Sequence, residues 1–581
     1  MRERREARER REKQWVFAHA DKTASAHLAR SLNVSDLTAT LLVNRGVREP
    51  AEARGFLKPE LSALINPEKF NDMPRAVDRI EAAVKAREPV AIFGDYDVDG
   101  TSGTAILIKL FRLLDCPVTY RVPHRVTDGY GLNAGAVEAF AAEGAKLLIT
   151  IDCGTNDVEE IAVARRLGMD VIILDHHEPG PVLPECTALI NPKLRDSTYG
   201  FTGICSGISF KVAWAVADRV GAKRRPGFEG FILDAMSLAA LGTIADVCPL
   251  IGENRIYVRY GLDALRACRG KGLRSLLQLA RLEEKIIDTF DVSFKLAPRL
   301  NALGRIGTAM DCVDLLVSDD QARIEDILSL LEKSNRHRKG IEDEMFDQAL
   351  AQVESSGGPG PAIILADARW HLGVVGIVAA RLVDRFYRPS FVMAIDESGV
   401  ARGSARSIGG LALHTALEAC GEQLLTHGGH AMAAGLSLKQ EHLESFRRKM
   451  EHHISVRLTG ENLTPKLEVD DEVAIGAVTT SVVREMERLA PHGPGNPVPL
   501  LVASHVKVAG EPRLMGKKND HLSFFLQQDG KSLRAVGFGM GELIEPLRRA
   551  RSVSVAFTPQ INSWQGNESV ELHLKDVKID A

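Results

Sequence analysis

The sequence predicts an α/β protein of several domains: a parallel sheet with crossover helices, a long connecting helix, a second α/β unit and a C-terminal β barrel. Three observations predict it. Between residue 89 and about residue 250, short apolar runs (PVAIF, LLITID, DVIILDHH) alternate with helical segments (TSGTAILIKLFRLL, VEEIAVARRLG), the pattern of parallel strands joined by helices. Residues 318–354 hold no proline and a single glycine, and Ile324, Ile327, Leu328 and Leu331 fall at helical spacing. From residue 465 onward the chain changes to short alternating runs (HLSFFLQQ, SLRAVGFG, SVSVAFTP, SVELHLKDVKI), which read as a small barrel. A chain of 581 residues exceeds one core, so about three domains are expected.

Taken in order, the first fourteen residues, MRERREARERREKQ, lack an apolar stretch and so are no secretory signal. They read as a solvated helix or disordered arm; a basic arm touching nucleic acid is the alternative, weakened by the interleaved glutamates. PVAIF leads into GDYDVDG at 94–100. That is no EF-hand, because the twelfth position from Asp95 is Ile106 rather than Glu and the loop is entered from a strand. The aspartates therefore sit at a strand end. The long helix stops at the breaker cluster SSGGPGP, 355–361. The second α/β unit carries two glycine-bearing turns, GSARSIGG at 403–410 and HGGHAMAAG at 427–435. The expected boundaries are 1–60 for an N-terminal arm and helical lead-in, 61–316 for the first α/β domain, 317–356 for the helix, 357–456 for the second domain and 457–581 for the barrel.

With 45% hydrophobic and 26% charged residues, the composition is that of a soluble globular protein. No run approaches the roughly 18 to 20 uninterrupted apolar residues of a membrane span. A net charge of −4 does not announce a nucleic-acid binder, so any such site must be a local patch. The eight cysteines include no C-x-x-C pair, which predicts reduced, buried thiols and a cytoplasmic protein rather than zinc ligands or disulfides.

Ligands of open α/β sheets gather at the carboxyl ends of the strands. Three strand ends here finish on metal-ligand types: Asp95, Asp97 and Asp99; Asp152; and Asp175-His176-His177. Carboxylates with imidazoles suit Mn²⁺ or Mg²⁺ better than zinc. Two such ions roughly 3.5 to 4 Å apart would clamp a phosphate and activate water, with one carboxylate bridging them. Singly, Asp152 reads as a cap for the helix starting near Val158, and a His pair as surface. Independent caps have no reason to recur at successive sheet ends, so the joint reading as a metal centre is preferred.

The segments GDYDVDG, TIDCGTND, ILDHH and GTIADVCPL resemble, in that order, the four motifs of the DHH phosphoesterase superfamily. HGGHAMAAG and GSARS resemble the signature loops of its DHHA1 partner domain, and LAPRLNALGRIG with the C-terminal barrel resembles the RecJ family of single-strand-specific exonucleases. The resemblance covers nearly the whole chain beyond residue 14. It implies a DHH domain, a DHHA1 domain and an OB-fold barrel. It also implies two divalent ions, Mn²⁺ or Mg²⁺, held by Asp97, Asp99, Asp152, His176 and Asp246, with Asp152 as the bridge. Where many superfamily members place a histidine ligand, four positions before Asp97, this chain has Phe93; Asp95 either supplies the missing ligand or orients the site. His177 is implied for phosphate.

By the same resemblance, Ser404 and Arg406 form a pocket for a terminal 5′-phosphate, completed by Arg299 or Arg305, since a guanidinium binds phosphate in bidentate fashion. Gly428 and Gly429 permit a close backbone approach to substrate, with His430 as a phosphate or base contact. In the barrel, Trp564, Phe524 and Phe525 are stacking candidates near Arg513, Lys517 and Lys518, and one of the two phenylalanines must face the core. The expected activity is 5′-to-3′ hydrolysis of single-stranded DNA to mononucleotides in recombination and repair, by a monomer that cooperates with single-strand binding protein and a RecQ-type helicase. The alternatives are a phosphodiesterase for short RNA or cyclic dinucleotides, which the 117-residue tail (581 minus 464) disfavours, and a non-catalytic scaffold, which the filled ligand positions disfavour.

Overall fold

The computed structural model describes residues 12–125, 128–201, 203–458, 460–564 and 566–580. Most of the arm expected at 1–14 lies outside them. The described residues form two compact units, Ser62–Leu463 and a second drawn from Met1–Leu61 and Thr464–Ala581.

In Ser62–Leu463 the first sheet is five-stranded and wholly parallel. Its spatial order is Val118–Arg121, Val90–Gly94, Leu147–Ile151, Asp170–Leu174, Ala188–Ile190. The three middle strands are apolar but for Thr150 and the exposed Asp170 that opens its strand, because both faces are covered. Ile92, Ile149 and Ile172 enter one core; Phe93, Leu148 and Ile173 enter the other. The chain begins in the second strand, steps outward to the edge and then returns, so the winding reverses between Val90–Gly94 and Leu147–Ile151. Such a reversal opens a crevice at the carboxyl ends of the two strands. Asp95 and Asp152 occupy those ends.

Helix Phe228–Ala245 is long and apolar enough, by length and composition, to cross a membrane, but it is 67% buried. It packs on Val98–Leu113 and Gly252–Ala267, which accounts for its apolar character.

The connecting helix is one rod, Gln321–Ser355, about 52 Å long. Asp320 caps it by accepting from the Ala322 and Arg323 amides. Its first half buries Ile324, Ile327 and Leu331 in the core of the first domain, its second half Met345, Ala349 and Val353 in that of the second. Between them, buried Ser334, Asn335 and Arg338 make the changeover polar. The second domain is built on a mixed sheet rather than a parallel one: Ile363–Asp367 and Ser390–Ile395 pair parallel, then Val400–Arg406, Ala433–Lys439 and Thr426–Gly429 follow antiparallel.

In the other unit, strands Leu501–Met515, His521–Gln528, Lys531–Gly537, Ser552–Trp564 and Asn567–Ile579 close into a five-stranded barrel of the OB type. The lead-in is part of this unit. Strand Gln14–Phe17 pairs parallel with Lys466–Val469, and Leu28, Leu41, Leu42 and Phe56 share a core with Leu489, Phe524 and Phe557. Ser35 and Thr38 both donate to Glu485, at 2.7 and 2.9 Å. All eight cysteines are free, six of them buried.

Candidate active site

The turn after Val90–Gly94 is tight because Gly100 lies against the Asp95 backbone; a Cβ there would come within 2.6 Å of the Asp95 carbonyl oxygen. Asp97 caps helix Val98–Leu113, its Oδ1 accepting from the Asp99 and Gly100 amides at 2.8 and 3.0 Å. Asp99, fully inside, accepts from the first two amides of helix Cys205–Arg219, Cys205 N to Oδ2 at 2.9 Å and Ser206 N to Oδ1 at 2.8 Å. Gly242 of the fourth motif is demanded by the same approach, since a Cβ would come within 2.6 Å of Asp99 Oδ1.

Asp152 follows Leu147–Ile151 with a left-handed backbone, φ 64, and caps no helix. The helix beginning at Val158 starts instead from Asp157. Asp152 Oδ1 is buried and receives no hydrogen bond, as is also true of Asp95 Oδ1. His176 Nε2 lies 3.2 Å from that Asp152 oxygen without hydrogen-bonding it, so the two atoms converge on one position. Three sets of donor atoms, each within 4.8 Å of one another, share Asp152: Asp95 and Asp97; Asp99, His176 and Cys205; Asp175 and His177. Burial and mutual repulsion push the carboxyls of Asp95, Asp99 and Asp152 well above the usual range. Burial and the charge of His177 bring His176 down to about 4, leaving it neutral, the form that ligates metals. Buried, mutually repelling carboxylates with unpartnered oxygens and a neutral imidazole fit hard divalent cations.

Asp246 stands outside these three sets, at the solvent-facing end of helix Phe228–Ala245. Desolvation by the surrounding chain and the charge of Asp97 push it up to about 6, and the Cys248 thiol donates to it at 3.3 Å. The next residue, Val247, holds φ 58, a conformation costing a β-branched residue about 1 to 3 kcal/mol.

Tyr130 escaped the sequence reading, and Asp175, expected among the metal-ligand types, has a further role. Asp175 organises the loop, taking the amides of Thr155, His176 and His177 and His177 Nδ1 at 2.8 to 3.1 Å. Burial raises its carboxyl, but these hydrogen bonds and His177 outweigh it and bring it down to about 2. For His177, burial opposes the charge, and the bond to Asp175 more than compensates, so its pKa rises. The Tyr130 hydroxyl donates to the Asp152 carbonyl at 2.9 Å and lies 3.0 Å from His177 Nδ1. No spacing rule would pick out Tyr130, which a loop brings in from outside the motifs.

On the second domain, Arg406 Nη1 donates to Ser404 Oγ at 2.6 Å, and Gly376, in the first turn of helix Val375–Phe386, lies beside both. Arg305 donates to the Gly373 carbonyl at 2.9 Å; burial and the charges of Arg125, Arg338 and Arg406 bring it down to about 10. Among the described residues, no carboxylate pairs with Arg305 or Arg406. Arg299 is not brought to this cluster: its guanidinium is taken up by Glu332 and the Lys295 carbonyl, both at 2.6 Å. Gly428, Gly429 and His430 form an exposed hairpin tip, with Gly429 at φ 136 against the Ala433 carbonyl. His430 is near enough to help depress His176.

In the barrel Phe524 is buried and Phe525 is 49% exposed, while Arg513, Lys517 and Lys518 are exposed. The Trp564 side chain lies outside the described residues. Phe538, also exposed, meets the rings of His521 and His573 edge-on.

Family models match three stretches: the DHH family N-terminal domain at 89–243, the DHHA1 domain at 360–455 and the RecJ OB domain at 469–576. The single-stranded-DNA-specific exonuclease RecJ of Bacillus subtilis (strain 168) is 37% identical over 97% of this chain and 71% of its own. That of Dickeya dadantii (strain 3937) is 33% identical over 95% of this chain and 97% of its own. The chain belongs to the RecJ family. RecJ from Thermus thermophilus, solved in complex with Mn²⁺, superposes with a TM-score of 0.83 at 28% identity over 98% of this chain and 80% of that one. The same protein in complex with Mg²⁺ gives 0.77 over 98% and 79%. Both metals were expected here from hard oxygen donors, and the RecJ-family cluster of Asp, His and Cys side chains could hold them.

Proposed function

We propose that this RecJ-family chain is a single-stranded-DNA-specific exonuclease that takes a 5′ end into the cleft between its first and second domains and releases 5′-mononucleotides toward the 3′ end. The observation that carries the reading is the convergence of Asp152 Oδ1 and His176 Nε2, with no hydrogen bond between them, at the switch point of the parallel sheet.

In this reading Asp97, Asp99, Asp152 and His176 would hold two divalent ions, Mn²⁺ or Mg²⁺, with Asp152, common to all three donor sets, at the centre and Asp95 adding an oxygen donor. Asp246 closes the set from the rim. Bound cations supply activation of the attacking water and neutralisation of phosphate charge. His177, oriented by Asp175, contacts a phosphate oxygen next to the scissile bond. Water adds to phosphorus, the bond to the 3′-oxygen breaks, and no covalent enzyme intermediate forms. Ser404, Arg406 and Arg305, with the amides that open helix Val375–Phe386, receive the terminal phosphate. Gly428, Gly429 and His430 bring the hairpin onto the substrate. The barrel tracks the strand with exposed Phe525 and its basic neighbours. The protein acts as a monomer in the cytoplasm, in recombination and repair, with single-strand binding protein and a RecQ-type helicase.

The test is hydrolysis, with Mn²⁺ or Mg²⁺, of 5′-phosphorylated single-stranded DNA, blunt duplex and a cyclic dinucleotide in parallel. Mononucleotides from the single strand alone are expected; cleavage of the dinucleotide alone would keep the metal centre and overturn the exonuclease.

A further inference from the structure

Three large apolar side chains before the LAPRLNALGRIG segment face solvent: Ile286 at 73%, Phe290 at 59% and Phe294 at 66% exposure. The two phenylalanine rings stack on each other, centroids 4.4 Å apart and planes 30° off parallel. They stand on continuous helical backbone, Thr289–Asp291, Val292–Leu296 and Ala297–Ile306, whose middle stretch is a π-turn closed by the Ala297 amide on the Val292 carbonyl. Such turns inside α-helices recur at functional sites.

This backbone is pinned. Asp288 and Asp291 form a reciprocal capping box, and Lys285 and Lys295 both donate to the buried Asp291 at 2.8 Å. The two partly exposed ammonium groups stand against the two carboxylates of the capping box, so this anchor is balanced in charge.

The same helix continues into the cleft. Ala297, Pro298, Asn301 and Arg305 line a cavity of about 240 Å³ that strained Val247, next to Asp246, closes from the other side. Pro298, Asn301 and Arg305 follow the three- and four-residue steps of one face of helix Ala297–Ile306, and the π-turn resets that register before Phe294. One continuous helical backbone therefore carries both the arginine of the proposed phosphate pocket and the stacked, solvent-facing rings, about 17 Å from Arg305 to Phe294 at helical rise. A flat, exposed aromatic surface suits unpaired nucleobases, and an exposed apolar patch of this kind marks a binding site.

We infer that Phe290 and Phe294 form a base-stacking platform for the single strand on its way out of the cleft. The inference rests on the exonuclease reading. At about 3.4 Å per stacked nucleotide, the platform meets roughly the fifth nucleotide from the terminal phosphate, and an earlier one if the strand is extended.

The test uses the full chain in chelator, so that no cleavage occurs, with 5′-phosphorylated oligonucleotides carrying 2-aminopurine at one position after another. Fluorescence quenching is expected to peak within a few nucleotides of the fifth, to vanish in the double variant Phe290→Ala/Phe294→Ala, and to return with Phe290→Tyr/Phe294→Tyr. Affinity should weaken about tenfold in the alanine variant. An abasic site at the peak position should cost the wild type that same factor and the alanine variant nothing further. Unchanged affinity and quenching in the alanine variant would overturn the platform and leave the exonuclease reading standing. So would a weakened variant whose wild type tolerates abasic sites everywhere, which would assign the rings to a protein partner. Strands that bind neither protein would sink the exonuclease reading itself.

Discussion

The two sheets of Ser62–Leu463 collect opposite charges and leave them unmatched in opposite ways. At the ends of the parallel sheet, Asp95, Asp99 and Asp152 are buried together and pushed toward protonation, with two carboxylate oxygens that receive no hydrogen bond. By the mixed sheet, Arg406 and Arg305 are desolvated and, among the described residues, donate only to a hydroxyl and backbone carbonyls, with Arg305 beside other arginines. Elsewhere the chain pairs its inner charges: buried Lys211 meets Glu253, and Arg45 meets Asp470 at 3.1 Å. Buried like charges without counter-ions cost free energy, so each cluster implies a partner from outside the chain, cations for one and an anion for the other.

The largest expected effect breaks the acidic side. Asp152→Asn should lower nucleotide release on the order of 10³-fold at saturating Mn²⁺ and weaken Mn²⁺ binding measured by titration; undiminished release would remove Asp152 from the centre. Next comes the basic side. Arg406→Ala and Arg305→Ala should each lower kcat/KM roughly 10- to 100-fold on 5′-phosphorylated strands and far less on 5′-hydroxyl strands, as competition between the two ends would show.

A smaller effect sharpens the comparison through pH. The folded-state pKa values of Asp95, Asp99, Asp152 and Asp246 lie above the unfolded ones, so the folded protein holds more protons. Their contribution is fully present below the usual carboxyl range and is lost as pH rises, for Asp246 through about 6. His177, also raised, acts in the same direction above its unfolded value. Asp175 and His176, held down to about 2 and about 4, act in the opposite direction below the usual histidine value, so in chelator the melting temperature should fall with rising pH above about 6.5, and saturating Mn²⁺ should flatten that slope; a slope indifferent to Mn²⁺ would count against the centre. The smallest effect is expected from Arg299→Ala. It breaks the contact with Glu332, so thermal stability should drop by about 1 kcal/mol while preference for a 5′-phosphate is kept.

Much of this was legible in the sequence because strand ends in parallel sheets are marked by apolar runs and their ligand types are rare there. GDYDVDG, Asp152 and the His pair could be grouped before any coordinates. The first barrel strand, Leu501–Met515, was not read, because a bulge between Ala503 and Val506 and another between Ala509 and Arg513 break its alternation. Nor was the lead-in seen as part of the barrel unit, since the partners of Ser35 and Arg45 lie more than 400 residues away.

Local chemistry by itself determined the parallel sheet, the connecting helix, the alternation of the barrel and the residue types of the metal centre, because periodicity and turn residues act over a few positions. Only the tertiary structure decided which groups are left without partners. Whether Arg299 or Arg305 stays free for an anion, whether Asp152 caps a helix or points an empty oxygen at His176, and whether Phe524 or Phe525 faces solvent all depend on what segments distant in sequence bring alongside. Burial and pairing are properties of the packed chain, and those two quantities set the charge that a site offers its ligand.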